Sequence, residues 1–522
     1  MVKKIFITFV AVLIYCSQLA GHPRNTPVTR LISPDGSKPL SYREWKEKQG
    51  DMLSVSLGNV GITDSDGGKI NLIVNSSLYG KLTNFLNPAT GQFVVDLTNA
   101  GWSVSIDTMS SSSYPFAADT LRQFLIDEYN TGSKGAILIG DLPIAWFQMM
   151  NTFYGSVPEY TDFPIDLFYM DMDGVWADHY EKSGDSLIPG SDSIYDTHTG
   201  NMGPEIFVGR LTSSTVGNDS LLLYSYFQRN HNFRVDSMNL SKEALFYIDD
   251  DWIDWSGTWS SQLGAVYDSI LVVDHPETTI ADDYRARIGV SHEWISLHAH
   301  SWPQGHAFKY DSGGSWSWFY SSEIPSIDPV GNFYNLFACS NARYTETDFC
   351  AGMYAFRTSY GLGALGSTKT GSMLEFQYFY NPLADGNCLG DAFSQWFEVM
   401  GEAWGDTSRS WFYGMTLIGD PTLSVVDSSL AVAESKDINT GVKNLVARPN
   451  PATDYVEFAM EGNRKDILEL KIVSIDGRVV WNNNNRADDK LIWNCSKFPA
   501  GIYFYMAKTK NSKFSDKIII VK

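Results

Sequence analysis

FYNLFACSNARY, Phe333–Tyr344, is an apolar run that ends abruptly in a thiol followed by polar residues. WISLHAHSWPQGH, Trp294–His306, is built the same way and ends in histidines. Each reads as a buried strand with a reactive side chain at its carboxyl end. Neighbouring parallel strands can deliver one residue each to the same sheet edge. Cys339 and His300 can therefore meet although they stand 39 positions apart. A thiol becomes a nucleophile when a base within hydrogen-bond reach takes its proton. The bland alternative for Cys339 is simple packing, because free cysteine is among the most buried residue types. His298 and His300 share one face of a strand, so with His306 they have a rival reading as metal ligands.

Further strands surround these two. Ile70–Val74, Ala136–Ile139, Ile206–Val208, Ala244–Ile248, Leu271–Val273 and Leu362–Leu365 are short apolar runs, and Trp102, Val104 and Ile106 alternate as a strand would. Between them lie stretches with helical spacing: Leu82–Asn99, interrupted at Pro88 and Gly91, and a second from Ala117 to Glu128. Such alternation predicts an α/β domain with a mostly parallel sheet. Residues 22–69 are polar and rich in turn formers, and are expected to be an extended lead-in.

After Val426 the texture changes. Residues 427–443 are small and polar and read as a linker. From Leu445 onward short strands are separated by Asn, Asp and Gly, which predicts a small all-β sandwich. Charge changes at the same place. The whole chain of 522 residues carries −21, yet residues 443–522 carry a net +5. So acidic a protein is not expected to bind nucleic acid, since phosphate repels it.

At the other end, Lys3 and Lys4 precede the apolar run Ile5–Tyr15, the pattern of a secretory signal with cleavage near Ala20. That run is too short to span a bilayer comfortably, and no transmembrane segment is expected elsewhere. The expected organisation is a signal over 1–20, a lead-in over 21–69, a catalytic domain over 70–426, a linker over 427–443 and a tail over 444–522. Four cysteines remain once the signal is removed, too few for a disulfide framework. One reading pairs Cys350 with Cys388 and leaves two buried thiols.

The stretch from about Ile70 to Val426 resembles the catalytic domain of the gingipain-type cysteine peptidases of the caspase-like clan. Seven motifs carry the resemblance, in order: ILIGD (137–141), DFPIDLFYMDMDGVWAD (162–178), IFVGRL (206–211), ISLHAHS (295–301), LFACSN (336–341), GSTKTGSM (366–373) and IGDPTL (418–423). The resemblance implies a caspase-like, mostly parallel sheet flanked by helices. It also implies a secreted cysteine endopeptidase acting on proteins or peptides through a thioester acyl-enzyme, with no cofactor for catalysis. Cys339 matches the nucleophile and His300 the catalytic histidine, with Ser301 where the family has Gly. An acid at the end of an earlier strand orients that histidine in the family. Here Ala244–Ile248 runs into Asp249, Asp250 and Asp251, and Asp250 is the expected one. Residues 366–373 are expected to line the primary specificity pocket.

Asp171-Met172-Asp173-Gly174, with Asp166 and Asp178, sets carboxylates around a Gly, chemistry suited to a structural calcium ion. The resemblance adds to that expectation. The tail resembles the C-terminal sorting domain of the type IX secretion system, through RPNPATD (448–454), IDGRVV (475–480), FPAGIYF (498–504) and KIIIVK (517–522). This implies export through Sec and then the type IX machinery to the surface of a Gram-negative bacterium. Tail removal and lipopolysaccharide anchoring or release would follow. Two other functions compete: a non-catalytic surface binding protein on a peptidase scaffold, and a metal-dependent hydrolase using His298, His300 and His306.

Overall fold

A computed structural model describes residues 30–49, 56–63, 68–110, 117–153, 156–238, 240–311, 313–401 and 405–426, then 445–448, 452–460, 467–474, 478–483, 491–509 and 513–521. The signal-like segment and the linker lie outside the described residues. The chain divides into two compact units, residues 1–427 and 428–522.

The strands that place the site in the first unit are β1 (Leu57–Ile62), β2 (Lys69–Asn75), β3 (Ser103–Met109), β4 (Ser133–Ile139), β5 (Phe207–Leu211), β6 (Ala244–Ile248), β7 (Ile270–Val273), β8 (His292–His298), β9 (His300–Trp302), β10 (Gly305–Tyr310), β11 (Ser315–Tyr320), β12 (Gly331–Phe337), β13 (Gly363–Ser367) and β14 (Met415–Gly419). Eleven of them form one sheet, in the order β1-β3-β2-β4-β5-β14-β13-β12-β8-β6-β7. Helices cover it, so a strand such as Ala136–Ile139 can be apolar at every position and buried throughout.

The sheet is mostly parallel, with two antiparallel joins, β1 to β3 and β13 to β14. Because β14 runs with β5 but against β13, the sheet consists of two parallel blocks pointing in opposite directions. The carboxyl ends of β6, β8 and β12 therefore share one edge, whereas Gly140 and Asp141, which follow β4, lie at the other. β9, β10 and β11 form a small separate antiparallel sheet just beyond β8.

The lead-in is more ordered than its composition predicts. Tyr42–Gln49 is helical, and β1 closes one edge of the main sheet. Tyr42 and Trp45 pack on Trp146, with ring centroids 5.5 and 5.3 Å away. These aromatics supply the burial that the polar neighbours lack. Pro88 and Gly91 do split the expected helix, into Thr83–Leu86 and Gln92–Asn99. The Cys350–Cys388 bridge does not form. No disulfide joins the four described cysteines: Cys350 is sunk in the core and Cys388 donates to Asp391 at 3.4 Å. Among the described residues no helix is long and apolar enough to cross a membrane.

The second unit has β15 (Leu445–Arg448), β16 (Tyr455–Met460), β17 (Ile467–Ser474), β18 (Val479–Asn483), β19 (Leu491–Asn494), β20 (Gly501–Thr509) and β21 (Lys513–Ile520). They pair as β15-β16-β19 and β18-β17-β20-β21, all antiparallel. Val456, Phe458, Leu470, Ile472, Trp493, Tyr505 and Ile518 come from both sheets and share one core, as in a sandwich.

Candidate active site

Register brings the two motifs together. β8 and β12 pair in parallel up to His298 opposite Phe337, and Ala299 N donates to Phe337 O at 3.1 Å. His300 and Cys339 each stand two residues past that last pair. Ser301 Oγ then donates to Cys339 O at 2.7 Å, tying the two strand ends.

Directly after Cys339 the chain turns sharply. Ser340 has φ +56°, a left-handed conformation costing a non-glycine residue roughly 1–2 kcal/mol. Surrounding hydrogen bonds impose it: Ser340 N to Lys369 O at 3.0 Å, and Asn341 Nδ2 to Trp302 O at 2.7 Å. Strain of this kind recurs where a fold must hold a functional group at a fixed angle.

His300 is bonded on both ring nitrogens. Nε2 lies 2.7 Å from Asp251 Oδ2, and Nδ1 accepts the backbone N–H of Arg30 at 3.0 Å. The Trp252 ring lies 4.6 Å from the imidazole and the Trp316 ring 5.3 Å, edge-on. Burial would raise the Asp251 carboxyl, but hydrogen bonds from His300 and Lys309 outweigh it and hold the group at about 2. A carboxylate only accepts, so Nε2 carries the proton and Nδ1 presents its lone pair. Burial lowers the His300 pKa, and the Asp251 bond opposes that shift. Lys309 Nζ, 2.6 Å from Asp251 Oδ1, completes the group.

Asp250, the acid expected from sequence, is not on the histidine. Its Oδ2 accepts the Gly313 N–H at 2.8 Å. The cause is local geometry. A 3₁₀ turn, Asp250–Trp255, starts at the end of β6, and three residues per turn aim consecutive side chains about 120° apart. Asp249 points into the protein, where burial raises its pKa well above the carboxylate range. Asp250 faces the β10–β11 turn, and Asp251 faces His300.

The other histidines are elsewhere. His298 lies in an aromatic cage of Phe246, Trp259, Phe337 and Phe376, with ring distances of 4.6, 5.2, 5.4 and 5.5 Å. Burial pushes its pKa down to about 3, so it is neutral. Burial does the same to His306, which meets Tyr354 OH at 3.1 Å. Among the described residues these histidines form no metal-ligating group.

The expected calcium ligands are divided among separate tasks. Asp166 is buried in an ion pair, 2.7 and 2.9 Å from Arg210 Nε, and also accepts Tyr344 OH. Asp178 takes Ser191 Oγ and Ser193 N, both at 2.7 Å. Asp171 Oδ1 accepts Asp173 N and Gly174 N, and its Oδ2 accepts Trp176 Nε1 and His198 Nε2. A Cβ on Gly174 would lie 2.0 Å from that carboxylate, which explains the Gly. Asp171 and Asp173 do cluster with Glu205, a residue the sequence reading missed, because it lies over 30 positions away on another segment. Four donors already occupy Asp171, so it fits a hydrogen-bond hub better than a calcium ligand.

The profile of Peptidase family C25 matches residues 94–426, well over half of the chain. The secretion system C-terminal sorting domain matches residues 448–521. No curated protein matches significantly. Among solved structures, the Arg-specific cysteine proteinase gingipain R aligns at 14% identity and TM-score 0.46, over 88% of this chain and 99% of that one. The complex of pro- and mature domains from Porphyromonas gingivalis gives 14% and 0.46, over 87% and 100%. Latent PorU from the same organism gives 20% and 0.13, over 21% and 11%. The sorting domain ties the chain to the type IX secretion machinery and the cell surface. The chain belongs to peptidase family C25: it is a cysteine-type endopeptidase that carries a secretion sorting domain.

Proposed function

We propose that Cys339 is the nucleophile, His300 the base and Asp251 the acid that orients it. The observation that carries this reading is the bonding of His300, with Asp251 on Nε2 and a peptide N–H on Nδ1. Asp251 fixes the tautomer, so Nδ1 keeps the lone pair, and this atom takes the Cys339 proton once the Arg30 N–H has moved off it. The thiolate then attacks the scissile carbonyl, and backbone amides near Ser301 and Cys339 hold the oxyanion. Nδ1 returns the proton to the leaving nitrogen as the C–N bond breaks. Water hydrolyses the thioester, releasing the acid and restoring the thiol.

Around this chemistry we place a route of export: a Sec signal over residues 1–20, passage by the type IX machinery, removal of the tail, and anchoring to lipopolysaccharide or release. The deciding experiment is digestion of a peptide library by the mature protein and by Cys339→Ala. The variant should keep the fold and lose hydrolysis. Full activity in a folded Cys339→Ala protein refutes the assignment.

A further inference from the structure

Lys309 is held in place at the catalytic group by both its side chain and its main chain. On β9 and β10 His300 lies opposite Ala307, so Lys309, two residues farther along β10, stands on the same face as His300. Its Nζ donates to Asp251 Oδ1 at 2.6 Å, while Asp251 Oδ2 takes His300 Nε2 at 2.7 Å. One carboxylate is thus shared, with the lysine on one oxygen and the imidazole on the other. Asp249 ties the two partners together from inside the protein, where it is fully buried. Its Oδ1 accepts the backbone N–H of Asp251 at 3.1 Å, and its Oδ2 accepts that of Lys309 at 3.3 Å. Trp316, opposite Lys309 on β11, lies edge-on to the His300 ring.

An ion pair on open surface would matter little. Here the Lys309 and Asp251 side chains are only 26% and 27% exposed, so water screens the pair less.

The arrangement resolves a conflict in acyl transfer. The acid must orient the ring and leave the Nδ1 lone pair free. A bare carboxylate also favours the imidazolium, which cannot take a proton. A cation on the second oxygen offsets that charge and keeps the hydrogen bond. At His300 burial lowers the pKa, Asp251 raises it, and Lys309 lowers it again. The other ionisable neighbours do not supply this balance. Cys339, on the β12 side, is the thiol whose proton Nδ1 takes. Asp250 is turned to Gly313, and burial holds the Asp249 carboxyl well above its usual range. Arg30 meets the ring through its backbone N–H.

We propose that Lys309 is a positioning residue of the peptidase reaction: its ammonium pins Asp251 on His300 and offsets the carboxylate charge beside the imidazole. The proposal rests on the Cys339/His300/Asp251 reading above. Lys309 touches neither substrate nor thiol and acts through Asp251 alone.

The mature protein and its Lys309→Met, Lys309→Arg and Cys339→Ala variants are assayed on one peptide substrate across the pH range, with circular dichroism and thermal midpoints to check the fold. Lys309→Met should lower kcat about tenfold or more with KM little changed. The acid limb of kcat/KM follows protonation of His300 and should move up by roughly one pH unit. Lys309→Arg keeps the cation and should recover most of the rate. Histidine NMR on Cys339→Ala, with and without Lys309→Met, should show the same upward shift of His300 without turnover. A folded Lys309→Met enzyme with wild-type kcat and an unmoved acid limb overturns the proposal. So does a rate loss that tracks a lower thermal midpoint while the His300 titration stays put, since Lys309 then supports only the fold. If Lys309→Met does not fold, Lys309→Gln, which keeps a donor without the charge, is judged by the same measurements. Hydrolysis that survives in Cys339→Ala is a separate failure: it removes the catalytic reading, and the role of Lys309 falls with it.

Discussion

Asp251, and neither of the two acids before it, holds His300: the Oδ2 to Nε2 distance is 2.7 Å. Asp251→Asn replaces an acceptor with a group that can also donate, so the favoured tautomer is lost. We expect kcat/KM to fall by about 10²–10⁴ while the fold survives. Asp250→Asn keeps an acceptor for the Gly313 amide and should cost less than roughly tenfold. Kinetics of the two variants on one peptide substrate check this. The reverse order would return the role to Asp250.

The buried histidines make stability sensitive to acid. His298 and His306 have folded pKa values of about 3 against 6.5 when unfolded. Between those values the unfolded chain binds protons that the folded chain refuses. Stability is therefore intact above about pH 6.5 and falls as the pH drops toward 3. The slope is up to about 1.4 kcal/mol per pH unit for each histidine. His298→Phe, which suits the aromatic cage, should reduce the loss between pH 6.5 and 4.5. Urea midpoints at those two pH values measure it, and an unchanged difference would contradict the argument.

The fold was legible because its strands are short apolar runs with reactive residues at their ends. Trp294–Leu297 and Phe333–Ala338 could be read directly, and pairing them needed only the rule for parallel neighbours. The choice among Asp249, Asp250 and Asp251 was not legible. Three like residues enter a 3₁₀ turn, and only the phase of that turn decides which faces His300. Lys309, Glu205 and Arg30 were invisible for another reason: each reaches its partner from a distant segment and leaves no local pattern. The lead-in misled because its composition is polar, while a few aromatics, Tyr42 and Trp45, fix it.

The hydrogen bonds of Asp171 predict a structural role. Asp171→Ala strands four donors, among them the ring of the fully buried His198. The cost should be roughly 3 kcal/mol, seen as a lower thermal midpoint of the peptidase unit. Calcium cannot replace the lost acceptor, so adding it to the chelated variant should not restore the midpoint. Full restoration by calcium would show that the loop is a metal site after all.

The last prediction concerns the tail. The sandwich has its own core, drawn from Val456, Phe458, Leu470, Ile472, Trp493 and Ile518, and the peptidase unit has another. Two units with separate cores should fold independently. Deleting residues 444–522 should therefore leave an intact peptidase unit whose thermal midpoint matches that of the full chain within about 2 °C. In the native host the same deletion should stop secretion, because the sorting domain at residues 448–521 is gone. Cell fractionation then finds the truncated chain in the periplasm, while the full chain reaches the surface or medium. The exported form should also end between Asp427 and Leu445, as intact-mass measurement would reveal. Normal secretion of the truncated chain, or Lys522 retained on most exported molecules, would refute the sorting role.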